Sequence, residues 1–250
     1  MTYPNFRNKH LEDALINPED FIHYKEFDKK KFPSKYVITY QSSALRGFRR
    51  KYAGKYELLK IYPGFYVHHI KNSDIGFIKM TGIGSPHAVV IFEELISLGA
   101  REFINIGTAG GLQHEGVFLC DRAIRDEGAS SHYMAHEKYS YPDKGLTEKL
   151  ARALEESGIV YEKATTWTID TPYRETKAEI NQYKKEGVAT VEMEASALFA
   201  VAKLRKVKIA AAFVVSDVLG EKWEPKFHHV NVKSMQNKMI DAAMTCLKKK

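Results

Sequence analysis

KIAAAFVVS, residues 208–216, decides the architecture. After its first lysine the run is apolar at odd and even positions alike. An extended chain of that kind needs cover on both faces, so it belongs in the middle of a sheet between helix layers. The other pieces lie nearby. YVITY (36–40), IGFIKM (75–80) and EFINIG (102–107) read as further strands. Residues 86–98 place Val89, Val90, Phe92, Leu95 and Ile96 at helical spacing and stop at Gly99. Residues 147–157 open on a threonine cap and end at Gly158, with Leu150, Ala153 and Leu154 between. Residues 192–204 are apolar on most sides, which predicts a largely buried helix. From Val232 a stripe of Met235, Met239, Ile240, Ala243 and Leu247 marks a last helix. Strands alternating with helices predict a three-layer α/β fold, a mainly parallel or mixed central sheet flanked by helices. No linker-like break or repeat interrupts the pattern, so residues 1–250 read as one domain.

Composition narrows the function classes. Hydrophobic residues make up 44% and charged residues 28% of the 250, ordinary for a soluble globular chain with a sizeable core. The formal net charge is +7, but the basic residues are scattered, with short runs only at 29–31, 49–51 and 248–250. That reads as a solvated basic surface, which also draws anionic substrates. No aromatic stripe of the RNA-binding kind accompanies it, so a nucleotide- or RNA-binding module without catalysis is the weakest reading and no nucleic-acid partner is expected. Cys120 and Cys246 form no CxxC pair, which indicates neither zinc nor redox chemistry and fits a reduced cytoplasmic setting. The first residues lack a signal-peptide core, and no run approaches the ~20 apolar residues of a membrane span.

In layered sheets ligands collect beyond the carboxyl ends of strands. Three segments fit: those after Tyr40, Ile106 and Val215. QSSALRGF (41–48) offers a hydroxyl-rich turn with Ser42 and Ser43, then Arg46 for charge-assisted bonds to an anion, or else a helix cap with a surface arginine. TGIGSPH (81–87) reads as a helix start, with Ser85 as cap and Pro86 at the first helical position. INIGTAGGLQ (104–113) is neither GxGxxG nor a P-loop. Gly107 there permits close backbone approach and Thr108 offers an oxygen and a donor, although a plain turn explains the stretch equally well. In VEMEASALFAVA (191–202), Glu192 and Glu194 open an apolar helix. Dipole compensation explains an acid there. Glu194 leads into a buried run, where a charge needs a partner such as a ribose diol. FVVSDVLG (213–220) delivers Asp217 to a strand end, as a cap or as a general acid.

INIGTAGGL, TVEMEASALFAVA and VVSD, in this order and spacing, resemble the nucleoside phosphorylase family of hexameric purine nucleoside phosphorylases and uridine phosphorylases. DEGASSHY (126–133) is similar to a further family segment. The resemblance implies a mixed sheet partly closed into a barrel, and a homo-oligomer of dimers, up to a hexamer, with sites completed by a neighbouring subunit. It implies phosphorolysis of a nucleoside to free base and ribose 1-phosphate, with phosphate as co-substrate and no cofactor or metal. By position, Arg46 and Thr108 then meet phosphate, beside Ser42 and Gly107. Glu194 holds the ribose hydroxyls, Met193 packs on the sugar, Glu192 supports, and Asp217 acts on the base. His10 matches a histidine lent to a neighbour's 5′-hydroxyl. Trp167 or Tyr173 stacks on the base and Arg174 bonds its carbonyl.

Two departures stand out. The family's phosphate turn carries glycine and proline, where this chain has Ser42-Ser43-Ala44-Leu45-Arg46. An arginine usually stands two residues before the third segment's first glycine, and that position is Asn105. Lys60 or a neighbour's side chain is then needed in its place. The departures admit an alternative, hydrolysis by water as in nucleosidases of the same superfamily. Those use a first-loop glutamate, and QSSALR has no carboxylate, which favours phosphate. Asp217 points to a purine base. Arg174 and the TPYRET stretch point to uridine, which the longer similarity slightly favours.

Overall fold

A computed structural model describes residues 4–6 and 8–249. The elements in chain order are α1 (Pro18–Tyr24), β1 (Lys35–Thr39), α2 (Ser42–Lys51), β2 (Tyr56–Tyr62), β3 (Phe65–Ile70) and β4 (Ile75–Lys79). Then come α3 (Ser85–Ser97), β5 (Glu102–Gly111), β6 (Val117–Asp126), β7 (Tyr139–Ser140), α4 (Lys144–Glu156) and β8 (Glu162–Ile169). The chain continues through α5 (Lys177–Lys185), β9 (Thr190–Glu192), α6 (Ala195–Arg205), β10 (Lys208–Leu219), β11 (Trp223–Pro225) and α7 (Val230–Lys248).

The apolar run 208–216 is the first part of β10, and β10 lies where its composition requires. It pairs in parallel with β5 and antiparallel with β6 and β11. The 11-stranded sheet is ordered β11-β10-β6-β8-β9-β5-β1-β4-β3-β2, with β7 on β6. Because β5 also pairs with β10, strands β10, β6, β8, β9 and β5 close into a barrel. Both ladder directions occur, so the sheet is mixed as expected.

Strand alternation sorts most of the core into two main clusters. On one face Tyr36, Ile38, Phe103, Ala211 and Phe213 pack with Ile22 of α1, Phe92 and Leu95 of α3, and Leu198 and Phe199 of α6. On the other, Val37, Ile104, Ile106, Ala210 and Ala212 meet Phe48 of α2, Leu150 and Leu154 of α4, and Met239, Ile240 and Leu247 of α7. The predicted three layers are therefore present. Burial of each Val, Ile, Leu, Met or Phe among these contributes about 1.5–3 kcal/mol.

Several boundaries correct the sequence reading. INIGTAGG is not a loop. β5 runs to Gly111, because β10 pairs with it along its whole length and β9 joins it at Gly110 and Gly111. Residues 42–48 are the first turns of α2 rather than a free turn. Thr147 is not a cap. Asp143 caps α4 by accepting the Leu146 N–H at 2.7 Å, and Thr147 is buried inside the helix. Ser85 is the first residue of α3, and Gly84 is its N-cap, at a φ of 97° that suits glycine. Glu192 ends β9, and α6 begins at Ala195 with Glu194 as N-cap.

Candidate active site

At the carboxyl ends of β1, β5 and β10 lies a cavity of about 490 Å³, roofed by the start of α2 and of α7. It collects Ser42 and Arg46 from α2, Gly107 and Thr108 from β5, Glu192, Met193 and Glu194 from the β9–α6 junction, and Asp217 from β10. Most of the residues picked out by sequence therefore converge on one space.

The junction wall is built around two buried carboxylates. Glu192 Oε1 accepts the Thr168 hydroxyl at 2.5 Å, and Oε2 accepts the N–H groups of Glu194 at 2.8 Å and Ala195 at 2.7 Å. It thus closes the N-terminus of α6, where unpaired N–H groups and the helix dipole favour an acid. Thr168 Oγ1 in turn accepts the Ser196 N–H. Glu194 Oε1 accepts the Gly84 N–H at 2.6 Å, and the Ser85 hydroxyl donates to the Met193 carbonyl at 2.7 Å. The loop before α3 therefore fixes Glu194. Burial pushes both carboxyls well above the usual carboxylate range, and the charge of Glu192 pushes Glu194 further. A carboxylate has about four acceptor positions. Glu192 has three taken. Glu194 has two engaged or flanked, by the Gly84 and Met193 N–H groups, and keeps acceptor capacity for a ligand's hydroxyls.

The opposite corner carries hydroxyls and cations. Gln41, the N-cap of α2, donates to Thr108 Oγ1 at 2.9 Å, and Gln236 of α7 donates to Gln41 Oε1 at 2.5 Å. This chain ties α7, α2 and β5 together. Ser42, Ser43, Arg46 and Lys233 line the same cavity. Arg46 has no ion-pair partner among the described residues. Asn105, at the position of the expected arginine, is fully buried outside the cavity lining, beside the Tyr40 hydroxyl. It adds no charge to the site.

Along β10 a register shift between Val215 and Asp217 places Ser216 in a bulge. Bulges re-aim side chains beside active sites. Asp217 Oδ1 accepts the Ser216 hydroxyl at 2.9 Å and Oδ2 accepts the Trp223 indole N–H at 2.8 Å. Glu175 joins it in the cavity lining. Its carboxyl is pushed up to about 7 by partial burial and then by the charge of Asp217. The sequence reading missed Glu175, although it sits inside TPYRET, because nothing in its spacing set it apart from a loop acid. Phe227 and His228 complete this side.

Other expected residues stand elsewhere. Trp167 does not stack in the cavity. It is fully buried on β8, packs on Tyr183 and donates its indole N–H to Asp126 at 2.9 Å. Its place in a barrel strand, between β6 and β9, explains this. Tyr173 is fully exposed, and Arg174 is exposed outside the lining, on a short 3-10 turn whose neighbours Pro172 and Glu175 do face the cavity. His10 sits on a 3-10 turn, Lys9–Leu11, that packs on another, Ala129–His132, away from this cavity. Lys60 is exposed on β2 at the sheet edge and does not replace the missing arginine. DEGASSHY braces α6 instead of lining the site: Glu127 accepts the Ser196 hydroxyl at 2.8 Å and the Ser130 N–H at 2.9 Å. No group of metal-binding side chains, and no helix long and apolar enough to cross a membrane, occurs among the described residues.

Comparison with known proteins supplies the context. The model of the phosphorylase superfamily matches residues 48–249. The uridine phosphorylase of Treponema pallidum is 34% identical over 55% of this chain and 59% of its own length. The purine nucleoside phosphorylase of Plasmodium vivax is 27% identical over 68% of this chain and 77% of its own. The chain thus spans little more than half the length of the first of these relatives. A uridine phosphorylase structure from Vibrio fischeri superposes with a TM-score of 0.72 at 26% identity, covering 88% of this chain and 92% of that one. An AMP nucleosidase from Bacteroides thetaiotaomicron shares the fold, with a TM-score of 0.75 at 21% identity over 94% of this chain.

Proposed function

We propose that this chain, which belongs to the phosphorylase superfamily, cleaves the N-glycosidic bond of a nucleoside by phosphorolysis. The products are free base and ribose 1-phosphate. The observation that carries the reading is the division of the cavity. Acceptors line one wall and donors with a cation line the other, and a sugar fits between a diol site and an anion site.

Phosphate takes the corner of Ser42, Arg46 and Thr108, below C1′. The N–H groups at the start of α2 add partial positive charge there. Glu194 accepts from the ribose 2′ and 3′ hydroxyls, Met193 packs on the ring, and Glu192 holds Glu194 through the α6 N-terminus. As the bond to the base lengthens, the ribose gains oxocarbenium character, which phosphate stabilises from below. The departing base gathers negative charge, and Asp217 and Glu175 face it. A protonated carboxyl of that pair donates to N7 of a purine and lowers the barrier to departure. The acid pair supports a purine substrate, and the likeness to the Treponema uridine phosphorylase supports uridine. Arg174 lies outside the lining and adds no contact for uracil.

Nucleosidase chemistry is the second reading, favoured by the shared fold of the AMP nucleosidase and by Asn105. Against it, no carboxylate comes from α2, where such enzymes place their water-activating glutamate. Assembly into dimers or a hexamer, with His10 serving a neighbour's site, extends the proposal, as does a cytoplasmic setting without cofactor. The test incubates the protein with uridine, inosine, guanosine and adenosine, with and without phosphate, and measures base and ribose 1-phosphate. Phosphorolysis requires one ribose 1-phosphate per base. Base released without phosphate at an equal rate rejects it.

A further inference from the structure

The corner assigned to phosphate has a second cation that the family resemblance did not foretell. Lys233 lines the cavity from the first turn of α7, half-buried. A lysine there is misplaced for the helix alone, because the first turn carries the positive end of the dipole and favours acids. Lys51, Lys138, Lys208, Lys226 and Lys249 all have carboxylate partners, whereas Lys233 forms no ion pair among the described residues. The cavity's carboxylates come from β9, the β9–α6 junction, β10 and the loop before α5, not from α2 or α7.

The packing of the two helices explains how Lys233 reaches this corner. Gly47 of α2 faces Asn237 of α7 so closely that a Cβ on it would fall 2.1 Å from Asn237 Oδ1. Lys233 lies one turn before Asn237, and Arg46 lies next to Gly47. The hydrogen bonds from Gln236 to Gln41 and from Gln41 to Thr108 fix the same approach on the strand side. Helix packing therefore brings the start of α7, with Lys233, and the start of α2, with Arg46, into the lining of the same cavity as Thr108, and neither cation forms an ion pair among the described residues.

We propose that Lys233 is the second cation of the phosphate site, supplying from α7 the charge that Asn105 does not supply from β5. The proposal rests on the phosphorolytic reading. An ammonium is a point charge on a flexible stem, so it follows the anion as the C1′–O bond forms without fixing a bidentate geometry.

The test measures phosphate KM at saturating nucleoside and nucleoside KM at saturating phosphate, for wild type, Lys233→Met and Lys233→Arg. Calorimetric titration with inorganic phosphate in the absence of nucleoside gives binding directly. Loss of one charge-assisted contact predicts a phosphate KM and Kd raised about 10- to 100-fold in Lys233→Met. Nucleoside KM should stay within about twofold, and Lys233→Arg should recover most of the loss. An unchanged phosphate KM in Lys233→Met, with wild type dependent on phosphate, overturns the role of Lys233 and leaves phosphorolysis standing. A rise in nucleoside KM alone also overturns it, by placing Lys233 on the sugar or base. Wild-type turnover indifferent to phosphate removes both readings together.

Discussion

Glu192 and Glu194 are buried, and their oxygens are held by backbone and side-chain donors from three segments. Arg46 and Lys233, in the lining of the same cavity, have no carboxylate partner among the described residues. The two walls follow different rules. The sugar wall is preorganised by internal hydrogen bonds, so its acceptors are in place before a substrate arrives. The proposed anion corner has Arg46, Lys233 and the start of α2 in its lining, with no ion pair to either cation among the described residues. A polyanion that enters and leaves in each turnover suits the second arrangement. A neutral sugar, which offers only hydroxyls, needs the first.

Breaking the sugar wall should have the largest effect. Glu194→Ala removes two charge-assisted contacts to the diol at about 1.5–3 kcal/mol each. The expected loss in kcat/KM for nucleoside is on the order of 10²- to 10⁴-fold, with phosphate KM little changed. Unchanged nucleoside kinetics would remove the carboxylate from the sugar. Opening the anion corner comes next. Arg46→Ala should raise phosphate KM about 10- to 100-fold, through loss of one such contact, and a steady-state titration with phosphate reads it.

The support beneath the sugar wall should register as stability. Glu192→Gln presents an amide NH₂ where two N–H groups now donate, which predicts a loss of about 1–3 kcal/mol in urea unfolding. An equal stability would mean that α6 finds other partners. The smallest effect concerns pH. Glu194 is held above the ordinary carboxylate range, so the fold favours its protonated form. Its contribution to stability is full at low pH and is lost as pH rises from the ordinary carboxylate value through the folded one. The stability of wild type relative to Glu194→Gln should therefore fall over that interval. Nucleoside affinity should move the opposite way, because the diol needs the carboxylate. Glu175, pushed up to about 7, should add a neutral-range limb to the purine profile that Glu175→Gln removes. A ratio of wild-type to variant stability that is flat with pH contradicts the assignment for Glu194.

Some of this was open to sequence reading. The apolar run 208–216 identifies the central strand because burial on both faces leaves a direct signature. VEMEA stands out because two acids before a buried helix need partners, and the structure gives both of them backbone N–H donors. β6 and β8 were harder to see. EKATTWTI carries threonines that face other strands of the barrel, as Thr166 does with Thr190, and polarity hides such a strand from a hydrophobic pattern. Trp167 misled for a related reason, since an aromatic in a polar run reads as a ligand surface when it is barrel core. Lys233 and Glu175 depend on tertiary approach. No local pattern tells a cavity lysine from a surface one, and α7 reaches the site through tertiary packing, as at the Gly47–Asn237 contact and the Gln236–Gln41 hydrogen bond.

The central claim is that the cation corner holds the attacking phosphate. Its most direct measurement is the rate of base release from a nucleoside as phosphate is titrated from rigorous absence to saturation, with ribose 1-phosphate quantified alongside. The account predicts negligible release without phosphate, saturable activation by it, and one ribose 1-phosphate per base. Release that proceeds at full rate without phosphate, yielding free ribose, would contradict it.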